Sequence, residues 1–153
     1  MRTKMTKILT TAFLATAMLA PFSINATAAD IVINLLNKGA DGSVMVFEPG
    51  FVRAAVGDTI KFMPVDKGHF VQGLPAMWPE GVADVKGKVS EELDVKVDKE
   101  GFYAFKCAPH YAMGMVALVQ VGKAPVTDAI KAIKVPGPAG KRIEADLALA
   151  AAP

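Results

Sequence analysis

Between residues 31 and 121 the chain breaks into seven short β-rich runs, none longer than seven residues, each bounded by turn-forming residues. The runs are Ile31–Leu36, Ser43–Glu48, Phe51–Ala55, Thr59–Met63, Glu91–Val97, Phe102–Cys107 and Met115–Val121. Pairs such as Asp41-Gly42, Pro49-Gly50, Gly57-Asp58 and Glu100-Gly101 punctuate them, because glycine and proline supply the backbone angles that reverse a chain. A short strand buries only one face and needs a second sheet to cover it. The expected fold is therefore mainly β, a Greek-key β-sandwich. Residues 72–90, rich in proline and glycine, read as a long connection between its halves. Beyond Gly122 the pattern changes to alanine-rich segments of helical period, Val126–Ile133 and Lys141–Ala151, split by Pro136-Gly137-Pro138. Two C-terminal α-helices over residues 126–151 should lean on the sandwich.

The first 28 residues read as a secretory signal rather than as part of this fold. Arg2, Lys4 and Lys7 precede an uncharged, largely apolar run from Ile8 to Leu19, and Ala26-Thr27-Ala28 fits a small-residue cleavage site. The mature chain is expected to begin at Ala29 and to form one domain, residues 29–153. Nothing later approaches the roughly 20 apolar residues needed to cross a bilayer, so no membrane association is expected after cleavage. The leader carries three basic residues and no acid, so its removal takes the chain from 17 basic and 15 acidic residues to 14 and 15, a formal charge of −1. Nucleic-acid binding thereby loses its electrostatic support. Attraction to an acidic partner must come from local clusters of lysine.

Export also raises the question of the single cysteine. Cys107 has no partner for an internal disulfide, and an unprotected thiol in an oxidising compartment invites oxidation; ligation of a metal would protect it. Strand alternation places Tyr103, Phe105 and Cys107 on one face and Phe102, Ala104 and Lys106 on the other, with Lys106 expected toward solvent. Cys107 thus points inward beside aromatic packing. Met115, Ala117, Val119 and Val121 share a face of the next strand, so Met115 can enter the same interior at the same end. His110 lies on the loop between them, which Pro109 stiffens. His69 follows Asp66-Lys67-Gly68 and is drawn from a different strand. Two imidazoles, one thiolate and a weak axial thioether form the trigonal donor set that suits one copper ion in a blue electron-transfer centre. Met113 is still in the turn and is the weaker axial candidate; Met45 reads as a core strand residue.

Other chemistry can be written on the same residues. A cysteine-histidine nucleophilic enzyme would use Cys107 and His110, but needs an orienting group and a substrate cleft that a compact sandwich scarcely provides. A copper carrier or a structural zinc module would use the same donors without a redox role.

Asn37-Lys38-Gly39-Ala40, Met45-Val46-Phe47-Glu48-Pro49, Pro64-Val65-Asp66-Lys67-Gly68-His69 and the Cys107–Met115 loop together resemble the pseudoazurins, small periplasmic cupredoxins. The resemblance covers nearly all of the mature chain. It implies copper ligation by His69, Cys107, His110 and Met115, and single-electron delivery in the periplasm to denitrification enzymes. Copper nitrite reductase is the chief partner it implies, with nitrous oxide reductase or cytochromes as others. It further implies Met45 beside His110, and an apolar docking face ringed by Lys38, Lys67, Lys86 and Lys106; a monomer is expected, since a transient shuttle benefits from an unencumbered docking face. One position departs from the pattern: Phe70 stands where these proteins usually carry an asparagine that ties the ligand loops together. An altered potential or a looser site is expected.

Overall fold

The computed structural model describes residues 27–152, so the leader segment 1–28 lies almost wholly outside the described residues. Eight strands form two four-stranded sheets. One contains β1 (Asp30–Lys38), β2 (Val44–Glu48), β4 (Thr59–Pro64) and β6 (Leu93–Lys96) in the order β2-β1-β4-β6. The other contains β3 (Phe51–Ala54), β5 (Val71–Gly73), β7 (Gly101–Cys107) and β8 (Val116–Val121) in the order β3-β8-β7-β5. β1 runs parallel to β4 and β3 parallel to β8, while the remaining pairs are antiparallel. The expected Greek-key sandwich is thus present. The chain changes sheets at every step from β2 to β7, so neighbours in sequence often face one another across the core.

The strand expected to start at His69 is β5, which begins two residues later, at Val71. It occupies three residues at the start of the 72–90 connection, too short for any alternation to register. The rest of that connection holds a 3-10 turn, Pro75–Met77, and a bridge from Gln72 to Lys86. The boundary of the second helix also shifts. α1 spans Asp128–Ala132 and α2 spans Gly137–Ala151, so Gly137-Pro138 begins α2 instead of separating the helices. Proline is tolerated there because the first-turn N–H groups have no intrahelical acceptor.

The interior divides into two clusters. Between the sheets, Ile33, Leu35, Phe62, Tyr103, Phe105, Cys107 and Met115 pack with the other inward residues of β7 and β8. The outer face of the second sheet is not open to water: Phe102, Ala104, Val116 and Leu118 pack against Ile143 and Leu147 of α2. That is why β8 is buried along its whole length. Lys106 alone of the outer residues of β7 stays half-exposed, with its ammonium 5.3 Å above the Tyr111 ring. Among the described residues no helix is long and apolar enough to cross a membrane.

Candidate metal centre

β7 delivers Cys107 to the inter-sheet core, where its side chain is completely buried. The chain then enters a 3-10 turn, Ala108–Met113, with Pro109 in its first turn, and leaves it at Gly114 in the left-handed conformation with φ 92°. Two backbone hydrogen bonds close this loop: the Cys107 N–H donates to the Met115 carbonyl at 3.0 Å, and the Met115 N–H donates to the His110 carbonyl at 3.2 Å. Cysteine, histidine and methionine are therefore spaced by a fixed turn rather than a free tether. On the same face of β7, Phe105 packs tilted against Phe62 with ring centroids 4.6 Å apart and edge-on against Trp78 at 5.2 Å, so aromatic rings brace the strand that carries the thiol.

His69 arrives from the other side, two residues ahead of β5, whose Val71 lies opposite Cys107. Its ring is also completely buried. His69 Nδ1 lies 3.1 Å from His110 Nδ1 and 3.7 Å from Cys107 Sγ, and His110 Nδ1 lies 3.4 Å from the same sulfur. Bonds of about 2.0–2.3 Å from one ion to three trigonal donors would set those donors about 3.5–3.8 Å apart. The observed triangle matches this to within a few tenths of an ångström. Among the described residues, His69, Cys107 and His110 are the group of donors close enough to share an ion.

Electrostatics agree with a site meant for a cation that displaces protons. Burial lowers the His69 pKa, with the neighbouring His110 ring acting in the same direction and Asp66 opposing, so the neutral imidazole with its free lone pair is favoured. Burial pushes the Cys107 thiol up, while backbone N–H groups of Phe70 and His110 aimed at the sulfur pull the other way. Those N–H donors stabilise a thiolate once a metal has replaced the proton, so uptake releases a proton.

Met115 is fully buried next to this triangle in the chain and shares the core with Cys107, whereas Met113 is 46% exposed on the turn. Burial therefore supports Met115 over Met113 as the inward thioether. Met45 is half-buried against the same core, with its backbone at φ 50°. His110 is half-exposed, so one imidazole edge reaches the surface while the cysteine and His69 stay dry.

Two contributors escaped the sequence reading. Asn37 Oδ1 lies 3.0 Å from His69 Nε2; as a carbonyl oxygen it accepts the Nε2 proton and so leaves Nδ1 unprotonated toward the site. Its only sequence signal was membership of a family-like motif. Arg142 reaches the base of the ligand loop from α2. At Phe70, the backbone carries part of the load expected of a side chain. The Ser90 N–H donates to the His69 carbonyl at 2.8 Å and the Gly68 N–H donates to Ser90 Oγ at 3.0 Å, tying the His69 loop to the 72–90 connection. An asparagine at 70 would add a further tie. Phe70→Asn is expected to slow copper release by about tenfold and to shift the reduction potential. Stopped-flow chelation and voltammetry check this; equal rates and potentials in both proteins would dismiss position 70 as a tuning site.

Residues 33–122 match the family of copper binding proteins of the plastocyanin/azurin type. The chain is 50% identical over 117 residues to the pseudoazurin of Paracoccus pantotrophus, covering 76% of this chain and 80% of that one. Among solved structures, native pseudoazurin from Hyphomicrobium denitrificans superposes with a TM-score of 0.75 at 49% identity, covering 78% of this chain and 97% of the other. Pseudoazurin from Methylobacterium extorquens AM1 gives a TM-score of 0.72 at 45% identity, over 78% and 98% of the two chains.

Proposed function

Because the chain belongs to the plastocyanin/azurin family of copper-binding proteins, and within it to the pseudoazurins, we propose that His69, Cys107, His110 and Met115 hold its copper and that His110 passes the electron. The protein is a one-electron carrier with a type 1 copper site and not an enzyme. The triangle of two Nδ1 atoms and one Sγ is the observation that carries the ligand assignment. When bound, copper supplies a single-electron couple between Cu(I) and Cu(II). The chain's own contribution is to keep the donors still. Asn37 orients His69, the Cys107–Met115 and Met115–His110 hydrogen bonds lock the loop, and the rings packed on Phe105 brace the strand that carries Cys107. Little rearrangement is then needed when charge changes, and the half-exposed ring of His110 offers the shortest route outward.

The protein works in the periplasm after cleavage before Ala29, with residues 29–153 as the mature domain. Its partners are redox proteins, chiefly copper nitrite reductase, with nitrous oxide reductase or cytochromes as further acceptors. Docking uses the surface around His110 and exposed Met113. Lys38 adjoins Asn37, Lys67 lies two residues before His69, Lys106 precedes Cys107, and Lys86 bridges Gln72, whose cross-strand partner is Lys106. All four therefore flank the site on the backbone. Steering by them makes association sensitive to salt.

Reconstitution with Cu(II) tests the site: an intense visible band and a reversible one-electron wave are expected, whereas a colourless protein without a wave would overturn the redox role in favour of a copper carrier or a structural zinc module. The association rate with copper nitrite reductase should fall by about tenfold or more as the Debye length shrinks from about 30 Å to about 3 Å. A flat dependence removes the lysines from the account.

A further inference from the structure

The Arg142 guanidinium spends its donors on backbone. Nη1 donates to the Gly114 carbonyl at 2.6 Å and to the Met45 carbonyl at 2.7 Å, and Nη2 donates to the Val44 carbonyl at 3.0 Å. Consecutive carbonyls of a regular strand point to opposite sides, so one cation does not ordinarily reach both. Met45 permits it by adopting φ 50°, a conformation that a long side chain rarely takes without support. Gly114 is also left-handed, and a Cβ there would stand 3.0 Å from Pro138 Cβ and 3.2 Å from the Pro138 carbonyl carbon. The first turn of α2 thus presses on the peptide that precedes Met115 while Arg142, one turn later, holds its oxygen.

The bland alternative is an ion pair between Arg142 and Asp146, four residues apart on the helix. No such pair occurs within 4.0 Å among the described residues. Burial instead pushes the Asp146 carboxyl up to about 7, against the opposing pull of Arg142. The guanidinium is committed to the loop.

We infer that Arg142 is a positioning residue for the copper centre, a clamp through which the C-terminal helix sets where Met115 and the Met45 turn stand relative to His110. The inference rests on the proposed ligand set. Its mechanical consequence is local: the Gly114 carbonyl is fixed from α2, the Met115 N–H is fixed on the His110 carbonyl, and the Met115 carbonyl is fixed on the Cys107 N–H. Loss of the first anchor frees the methionine side of the site while leaving the buried His69 and Cys107 in place.

The test compares Arg142→Met, Arg142→Lys and the packing control Leu147→Ala. In metal-free Arg142→Met, amides of Gly114 and Met115 should exchange about tenfold or more faster than in the parent, relative to amides of Ile60 and Val95 in the far sheet. In the copper(II)-loaded protein, the intensity ratio of the two thiolate-to-copper bands and the reduction potential should both shift. Arg142→Lys keeps the charge without the fork and should shift them less, in the same direction. Leu147→Ala should lower stability and leave the band ratio unchanged. Unaltered loop exchange and bands in both arginine variants overturn the inference, as does a band shift in Leu147→Ala equal to that of Arg142→Met. Should the parent itself stay colourless with copper, the ligand assignment fails, while the metal-free exchange data still decide whether Arg142 clamps the loop.

Discussion

Cys107→Ser protein loaded with copper(II) is expected to show no intense visible band, and its copper affinity should fall by more than about 100-fold. The band requires a sulfur donor whose electron density reaches the metal, and serine oxygen cannot supply it. The affinity estimate is set against the tenfold to hundredfold losses typical of outer-shell changes, which a lost primary donor must exceed. The fold should survive. Serine is nearly isosteric, and the Phe70 and His110 backbone N–H groups that point at Cys107 Sγ can donate to its hydroxyl oxygen instead. A buried hydroxyl with such partners costs about 1–2 kcal/mol, a modest part of a domain's stability. Absorption titration and chemical denaturation measure the two effects separately. An intense blue band in the serine variant would sink the ligand assignment.

The second large effect concerns the scaffold. Helix propensity alone says that Gly140→Ala, in the interior of α2, should stabilise the protein by about 1 kcal/mol. Packing says the opposite. Gly140 is buried, and a Cβ added there would run into the Val135 carbonyl oxygen in the segment joining α1 to α2. The obstructing atom is backbone, so it cannot rotate aside as a side chain would, and either the connection or the helix must shift. Overpacking of this kind costs about 1–3 kcal/mol and sometimes more, which outweighs the propensity gain. We expect a net loss of about 2 kcal/mol and a melting temperature lower by roughly 5–12 °C. A thermal melt checks the sign. An unchanged or higher midpoint would show that the connection yields easily.

Local pattern reached a long way in this protein. The period-two alternation of Phe102–Cys107 aimed the thiol inward, and that of Met115–Val121 aimed Met115 into the same interior; both orientations match the observed burial. The strand runs were legible because each carries its own β-branched and aromatic residues between its own turn residues, a property of a few consecutive positions. The second helix was placed too late because Pro136-Gly137-Pro138 has the composition of a break, although proline in a first helical turn breaks nothing. The strand after Gly68 was expected to begin at His69 and begins at Val71, since three residues carry no period that would fix its boundary.

The inward direction of Cys107 and Met115 and the sandwich that holds them were determined by the sequence itself, since they follow from nearest-neighbour geometry along one chain. The Asn37 bond to His69, the Arg142 grip on Gly114 and Met45, and the covering of Phe102 and Ala104 by α2 were decided only by tertiary structure. Each joins segments 28 or more residues apart. At such separations the partner of a polar group is selected by how whole elements pack, and no local spacing records that choice.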